Sequence, residues 1–332
     1  MNIGLFTSVY FNNIGNGFID LGAEECIKAA LPANANFIKI SQCANFAASM
    51  YKGMALRESA VLRWIWRNGV QRFAPQMHDR SYKMIQTKDV FSVANIAKLD
   101  YFIIPGCVLT VPFFTIYGRL LENKINEGAK IIFLGVSGNY YTDYEIQFVS
   151  AFLSKLKPHA ILTRDSIAFK YYAKFSDNSY NGIDSAFFVN RLNLPKVTTT
   201  ISPFVVLNFD LPKNKVIERT LKKQLDNVIF TNHKPYPYSN IGKYVKQGIV
   251  ISDYPLDYLF LYSNAEAVYS DRVHACITTL AFGNKVCLYS DSPRITLFEN
   301  VGLKNMDRKL VSLYGLNELQ NKQISYLASV FS

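Results

Sequence analysis

Ala267-Val268-Tyr269-Ser270-Asp271-Arg272-Val273-His274-Ala275 runs on through a mostly apolar stretch to Gly283 and then to Lys285-Val286-Cys287-Leu288. Residues 267–269 and 285–288 have the short, β-branched and aromatic character of buried strands, and 272–282 between them has the length of a helix. Strand, helix and strand with tight joins make a βαβ unit, whose two strands lie parallel. Outward from this unit the same alternation recurs. Strand candidates at 2–9, 36–40, 101–105, 130–134, 160–163, 204–208, 228–231 and 248–251 alternate with helical patterns at 17–30, 117–127, 143–156, 165–174 and 255–263. A last helical pattern covers 316–330. The alternation pauses over 175–203, where Asn, Ser, Pro and the three threonines 198–200 cluster as in a linker. The expected organisation is α/β, with two domains, 1–195 and 196–332, whose parallel sheets face a cleft. In such sheets ligands bind beyond the carboxyl ends of the strands, so motifs just after strands carry the most weight.

The composition agrees with this and removes several classes. The chain has 332 residues, 49% of them apolar and 18% charged, which is enough for two cores and unlike a disordered segment. Five widely spaced cysteines without a C-x-x-C pair exclude a disulfide scaffold and a cysteine zinc module, and fit a reducing cytoplasm. The opening Met1-Asn2-Ile3-Gly4-Leu5 lacks a basic region and a cleavage site, so no signal peptide is expected. Residues 101–118 carry no charge, but Pro105-Gly106 and Pro112 break the run, which reads as a buried strand, a loop and a helix start rather than a membrane span. The net charge of +11 splits into +6 up to Arg191 and +5 beyond it. A basic nucleic-acid arm would be more segregated, whereas an anionic small substrate or membrane surface is compatible. No H-x-x-x-H pair and no carboxylate cluster suggests a metal site.

The strongest constellation is Asp271-Arg272-Val273-His274, after a strand and opening a helix. A helix N-terminus attracts anions, Arg272 adds a planar fork for carboxylate or phosphate, and His274 titrates near neutrality. The plainer alternative is a capping Asp, a surface Arg and a core His. A second constellation, Thr163-Arg164-Asp165-Ser166, also joins a strand to a helix. Asp165 or Thr163 would cap the helix, and Arg164 would point from the strand end toward the cleft. Two glycine turns follow strands: Asn12-Asn13-Ile14-Gly15-Asn16-Gly17, and Gly135-Val136-Ser137-Gly138. Neither is a dinucleotide or Walker fingerprint. His233 follows a strand and is a candidate cleft residue, against an ordinary loop histidine; His78 and His159 have poor credentials. Finally, Arg63-Trp64-Ile65-Trp66-Arg67, flanked by Arg57, Arg72 and Arg80, reads as a dock on anionic lipid, as an aromatic-basic nucleic-acid surface, or as a helix with Trp inward and Arg outward.

In this order, the pieces resemble the polysaccharide pyruvyl transferase family. Asn13-Ile14-Gly15-Asn16 stands where that family has an N-x-G-D type turn. Gly135-Val136-Ser137-Gly138, Arg164-Asp165 and Gly182-Ile183-Asp184 match its middle. Its most specific segment, A-x-x-V-x-x-x-R-x-H-A, is matched by residues 265–275 and followed by Gly283-Asn284-Lys285-Val286. Two departures stand out: Asn16 replaces the usual Asp, and Pro105-Gly106-Cys107 replaces a glycine-rich turn.

The resemblance implies two Rossmann-like domains of GT-B-like build. The implied activity is transfer of pyruvate from phosphoenolpyruvate to two hydroxyls of a sugar, giving a cyclic ketal and phosphate. It further implies a role in capsule, exopolysaccharide and cell-wall polymers, often on lipid-linked acceptors, at the inner face of the membrane. Arg164, Arg272, Val273 and His274 carry over as the phosphoenolpyruvate site, with His274 catalytic; Asn13, Asn16, Ser137 and His233 are candidates for the acceptor. No cofactor or metal is expected. The donor's phosphate and carboxylate suit two guanidinium groups and a helix N-terminus. That N-terminus favours neutral imidazole and a bound phosphate the protonated one, so donor binding should prime His274 as a general acid. A GT-B glycosyltransferase using a nucleotide sugar is the alternative, because fold does not fix function; it lacks a recognisable ribose-binding acid in the C-terminal half.

Overall fold

The computed structural model describes residues 1–7, 13–32, 34–42, 92–195, 197–201, 203–233, 241–290 and 292–331. The Arg/Trp segment around 57–80 lies outside the described residues, as do Cys43 and His78. The chain divides into two compact units, one of Met1–Val9 with Leu31–Gly182 and one of Tyr10–Ala30 with Ile183–Ser332. The first helix, α1 (Gly15–Ala30), thus belongs to the second unit, although the sequence division at 195 groups it with the first.

In the first unit six strands are all parallel: β1 (Asn2–Thr7), β2 (Asn36–Ser41), β3 (Tyr101–Gly106), β4 (Lys130–Val136), β5 (Ala160–Thr163) and β6 (Asn178–Asn181). Their order is β2-β1-β3-β4-β5-β6. Strands covered on both faces must be apolar throughout, and all six residues of β3 are buried. The uncharged run 101–118 resolves into β3, a loop and the start of α2 (Val111–Asn126), where the Thr110 hydroxyl accepts from the Phe113 amide at 3.3 Å. The helices α3 (Asp143–Leu156) and α4 (Ser166–Tyr172) follow β4 and β5, capped by Thr142 and Asp165. Phe102, Ile104, Phe114, Phe133, Val149 and Ile161 contribute to one core.

The second unit repeats the plan with β7 (Val205–Asn208), β8 (Val228–Thr231), β9 (Ile249–Val250), β10 (Ala267–Ser270), β11 (Lys285–Leu288) and β12 (Leu310–Val311). The order is β12-β11-β10-β7-β8-β9, and only the β11–β12 pair is antiparallel. The helices are α5 (Lys215–Gln224), α6 (Ile241–Lys246), α7 (Pro255–Asn264), α8 (Val273–Ala281) and α9 (Leu316–Val330). From β7 the chain builds outward to β9, then returns to place β10 on the other side of β7. The order therefore reverses between β7 and β10, the place where open α/β sheets bind ligands. Ser270 pairs with Asn208, so the residues after both strands emerge side by side.

Helix α1 packs on the 3₁₀ segment Ser185–Arg191 and on α9. A Cβ at Gly22 would lie 1.9 Å from the Ser185 carbonyl oxygen, so only glycine permits this approach. The span 175–203, expected to be a linker, instead contributes β6 and this 3₁₀ segment. β6 is an edge strand, so its sequence Asn-Ser-Tyr-Asn carries no apolar signal.

Candidate functional site

The reversal point of the second sheet brings together residues that are far apart in the chain. β10 ends at Ser270, whose hydroxyl accepts from the Arg272 amide at 2.8 Å and donates to the Asn208 carbonyl at 2.9 Å. This ties the turn into α8 to the end of β7. Arg272 is the residue before α8, in extended conformation, and the amides of Val273 and His274 open the helix, where backbone N–H groups lack an intrahelical acceptor. The Arg272 guanidinium donates through Nη2 to Asn13 Oδ1 at 2.8 Å, and its Nε lies 3.3 Å from Asp210 Oδ2. The Asp210 side chain is buried. Its Oδ1 accepts from the Asn232 side chain at 2.9 Å and the His233 amide at 3.1 Å. Its backbone is fixed in turn by Asp271, whose carboxylate accepts from the Asp210 and Leu211 amides and the Asn214 side chain, at 3.0, 2.8 and 3.0 Å. Burial pushes the Asp271 carboxyl up, and these three donated bonds pull it back.

His274, in the first turn of α8, is 7% exposed, with Nε2 3.5 Å from Asp184 Oδ2. Its Nδ1 edge faces the start of α1: a methyl group at Gly15 would lie 3.3 Å from Nδ1 and 3.3 Å from Asn13 Oδ1. Arg272, Val273, His274 and Asn13 therefore surround one spot. Asn16 is half-exposed in the first turn of α1, its amide donating to the Asn13 carbonyl at 3.0 Å. His233 is buried among aromatic rings, edge-on to Phe18 and Tyr258, with Nε2 against the Tyr262 hydroxyl. Burial, helped by the positive charge of Arg272, holds its pKa well below 6.5, so it packs as a neutral ring.

Arg164 and Ser137 lie in the first unit, after β5 and β4. Arg164 is fully buried, and its Nε and Nη2 donate to Ser137 Oγ at 2.9 and 2.7 Å. Asp165 caps α4 by accepting from the Ala168 amide at 2.7 Å and also meets the Tyr141 hydroxyl at 3.0 Å. Burial and the Asp165 charge hold that phenol far above its ordinary value. Asp210 is not singled out by the sequence, and Asp184 enters there only within Gly182-Ile183-Asp184, with no role assigned. Asp210 stands two residues after a strand end, a usable signal, but its pairing with Arg272 depends on β7 lying beside β10.

Among the described residues no His, Cys, Asp or Glu group is arranged to hold a metal, and no helix is long and apolar enough to cross a membrane. The model of the polysaccharide pyruvyl transferase family matches residues 31–292, a span that includes Arg164, Arg272 and His274. No curated protein matches the chain. Among solved structures it is similar to the S. aureus MnaA–UDP co-structure, with 10% identity, TM-score 0.54, and 99% of this chain and 91% of that one covered. It is also similar to the UDP-GlcNAc 2-epimerase of Neisseria meningitidis bound to UDP-GlcNAc, with 12% identity, TM-score 0.52 and coverage of 99% and 94%. The Methanocaldococcus jannaschii UDP-GlcNAc 2-epimerase complex with UDP-GlcNAc and UDP gives 11%, 0.51, and 100% and 99%. At these identities the likeness is one of fold: two Rossmann-like units of GT-B type.

Proposed function

Because the chain belongs to the polysaccharide pyruvyl transferase family, we propose that it moves pyruvate from phosphoenolpyruvate onto two hydroxyls of a sugar, forming a cyclic ketal and releasing phosphate. The observation that carries this reading is the placement of Arg272 and His274 together at the start of α8, at the reversal point of the second sheet, with Arg272 bonded to Asn13. Phosphoenolpyruvate is a small dianion or trianion with a nucleophilic methylene carbon. The guanidinium of Arg272 and the N–H groups opening α8 suit its oxygens, and Val273 contributes its backbone amide. His274 donates a proton to the methylene carbon as one sugar hydroxyl adds at C2, and that hydroxyl's proton restores His274. A second hydroxyl then displaces phosphate at C2, breaking the C–O bond, and its proton leaves with the phosphate. Electrostatic stabilisation of the departing phosphate is the largest expected term.

Arg164 enters this reading by motif position alone, as do the acceptor roles of Asn13, Asn16 and Ser137. His233 is the weakest acceptor candidate, since its ring is enclosed. A sugar of a cell-surface polymer, carried on a lipid precursor, is the proposed acceptor, with the enzyme in the cytoplasm or at the inner membrane face. The GT-B-type fold alone supports the alternative of a nucleotide-sugar transferase. Phosphate release from phosphoenolpyruvate, measured against a panel of hexose-bearing lipid-linked acceptors, separates the two. Acceptor-dependent release with ketal product supports pyruvyl transfer. Turnover of UDP-sugars with no use of phosphoenolpyruvate refutes it.

A further inference from the structure

Two candidate residues of the first unit meet in a contact that the reaction above does not use. Ser137 and Arg164 are both buried, and the Ser137 hydroxyl accepts from Nε and Nη2 of Arg164 at 2.9 and 2.7 Å. A hydroxyl oxygen has two lone pairs, and the guanidinium engages both. A regular β4 would send these two side chains to opposite faces of the sheet. Instead β4 carries one residue more than its neighbours. Leu134 pairs with Pro105 and Leu162, and the next pairs are Val136 with Gly106 and with Thr163, so both ladders pass over Gly135. Gly135 has φ +59°, a left-handed conformation that glycine adopts without a Cβ clash. A bulge of one residue shifts the alternation of side chains by one. Ile131 and Phe133 face the first unit's core, and after the bulge Val136 joins them there. Ser137 therefore takes the opposite face. Arg164, three residues beyond the core residue Ile161, lies on that same face. The backbone around the pair is tied down as well. The Arg164 amide donates to the Val136 carbonyl at 3.0 Å, and the Ser137 amide to the Gly106 carbonyl at 3.2 Å. The Gly138 amide donates to the Tyr141 hydroxyl at 3.0 Å, which donates in turn to Asp165, the cap of α4.

We propose that Ser137, turned by the bulge at Gly135, is a positioning residue that fixes the plane and direction of the Arg164 guanidinium for the donor. This rests on the reading of Arg164 as a contact of phosphoenolpyruvate, and it replaces the acceptor role of Ser137. A guanidinium recognises carboxylate or phosphate through its planar fork, so one already aimed binds an anion with less loss of freedom than one that must be ordered. The hydroxyl does this as a neutral group, orienting the fork without cancelling its charge.

The test combines ¹⁵N NMR of arginine-labelled protein with steady-state kinetics for the wild type, Ser137→Ala and Gly135→Ala. The Nε–H of Arg164, identified by its loss in Arg164→Lys, should exchange slowly in the wild type. Ser137→Ala should shift that signal and speed its exchange. The same variant should raise KM for phosphoenolpyruvate roughly 10- to 100-fold, the upper figure being the cost of an ångström's misplacement, with kcat and the sugar's KM changed far less. Gly135→Ala, which forces a side chain into left-handed backbone, should change the same two readouts in the same direction. A wild-type Arg164 Nε–H that exchanges as fast as an exposed arginine's overturns the proposal, even if no variant folds. So does a Ser137→Ala enzyme whose KM for phosphoenolpyruvate is unchanged, or whose rise falls on the sugar's KM instead. If the exchange results are as stated but the wild type releases no phosphate from phosphoenolpyruvate, Ser137 still positions Arg164 and the donor assignment fails.

Discussion

Truncating Arg272 and truncating His274 should have separable effects, because the two side chains have different partners. His274→Ala should lower kcat by about 10²–10⁴ and leave phosphoenolpyruvate affinity similar, as read by steady-state kinetics and calorimetry. Near-normal turnover would make His274 a packing residue. Arg272→Ala should chiefly weaken donor binding, and it should also destabilise the protein. Its Nε lies 3.3 Å from the buried Asp210 carboxylate, which would keep its hydrogen bonds to Asn232 and the His233 amide but lose its counter-charge. A cost of about 2–3 kcal/mol in urea unfolding is expected, and Asp210→Asn in the same background should recover part of it. Additive losses would show that Asp210 does not serve Arg272. At this scale the sequence shows the strand-to-helix junctions that carry Arg164, Arg272 and His274. Asp210 looks ordinary until the strand order brings it to Arg272, and the approach of Asp184 to His274 is a tertiary fact that Gly182-Ile183-Asp184 does not reveal.

Strands buried on both sides are recognisable in this chain, as are the edge strands β2 and β9, whereas polar or very short edge segments are obscure. β3 and β4 read as unbroken apolar runs, but the polar β6 and the two-residue β12 give no pattern. Helix α1 shows an apolar stripe, but a stripe says that a face is covered and not by what; its place in the second unit is a tertiary fact. Gly22 marks that contact. Gly22→Ala would force a methyl group against the Ser185 carbonyl, so a loss of about 3 kcal/mol or more in thermal or urea unfolding is expected. An unchanged midpoint would mean that α1 can move away cheaply. The loop after β7 offers a second check. All three groups facing the Asp271 carboxylate are donors, so Asp271→Asn should cost about 1–3 kcal/mol by turning an NH₂ toward N–H groups.

For the molecule as a whole, pH enters through His233. The folded chain keeps this ring neutral, because burial holds its pKa well below 6.5, while the unfolded chain takes up a proton below about pH 6.5. Its contribution is therefore complete above pH 6.5 and declines as the pH falls, by at most about 1.4 kcal/mol per unit. Urea titrations at pH 7 and 5 should show a smaller loss for His233→Gln than for the wild type; equal losses would assign the acid sensitivity elsewhere. The division of the chain also matters. Residues 183–332 alone lack α1, with its buried Phe18, Ile19, Ala23 and Ile27, which packs on the segment that holds the buried Phe187 and Phe188. That fragment should unfold without cooperativity until a peptide spanning residues 13–30 is supplied. The same arrangement sets a timetable for synthesis on the ribosome. Helix α1 is made early, and its first partner, Ser185–Arg191, follows roughly 150 residues later, about 8–30 s at 5–20 residues per second. Through that interval a greasy helix waits for a surface not yet translated, which makes the nascent chain a customer for a chaperone before the second sheet exists.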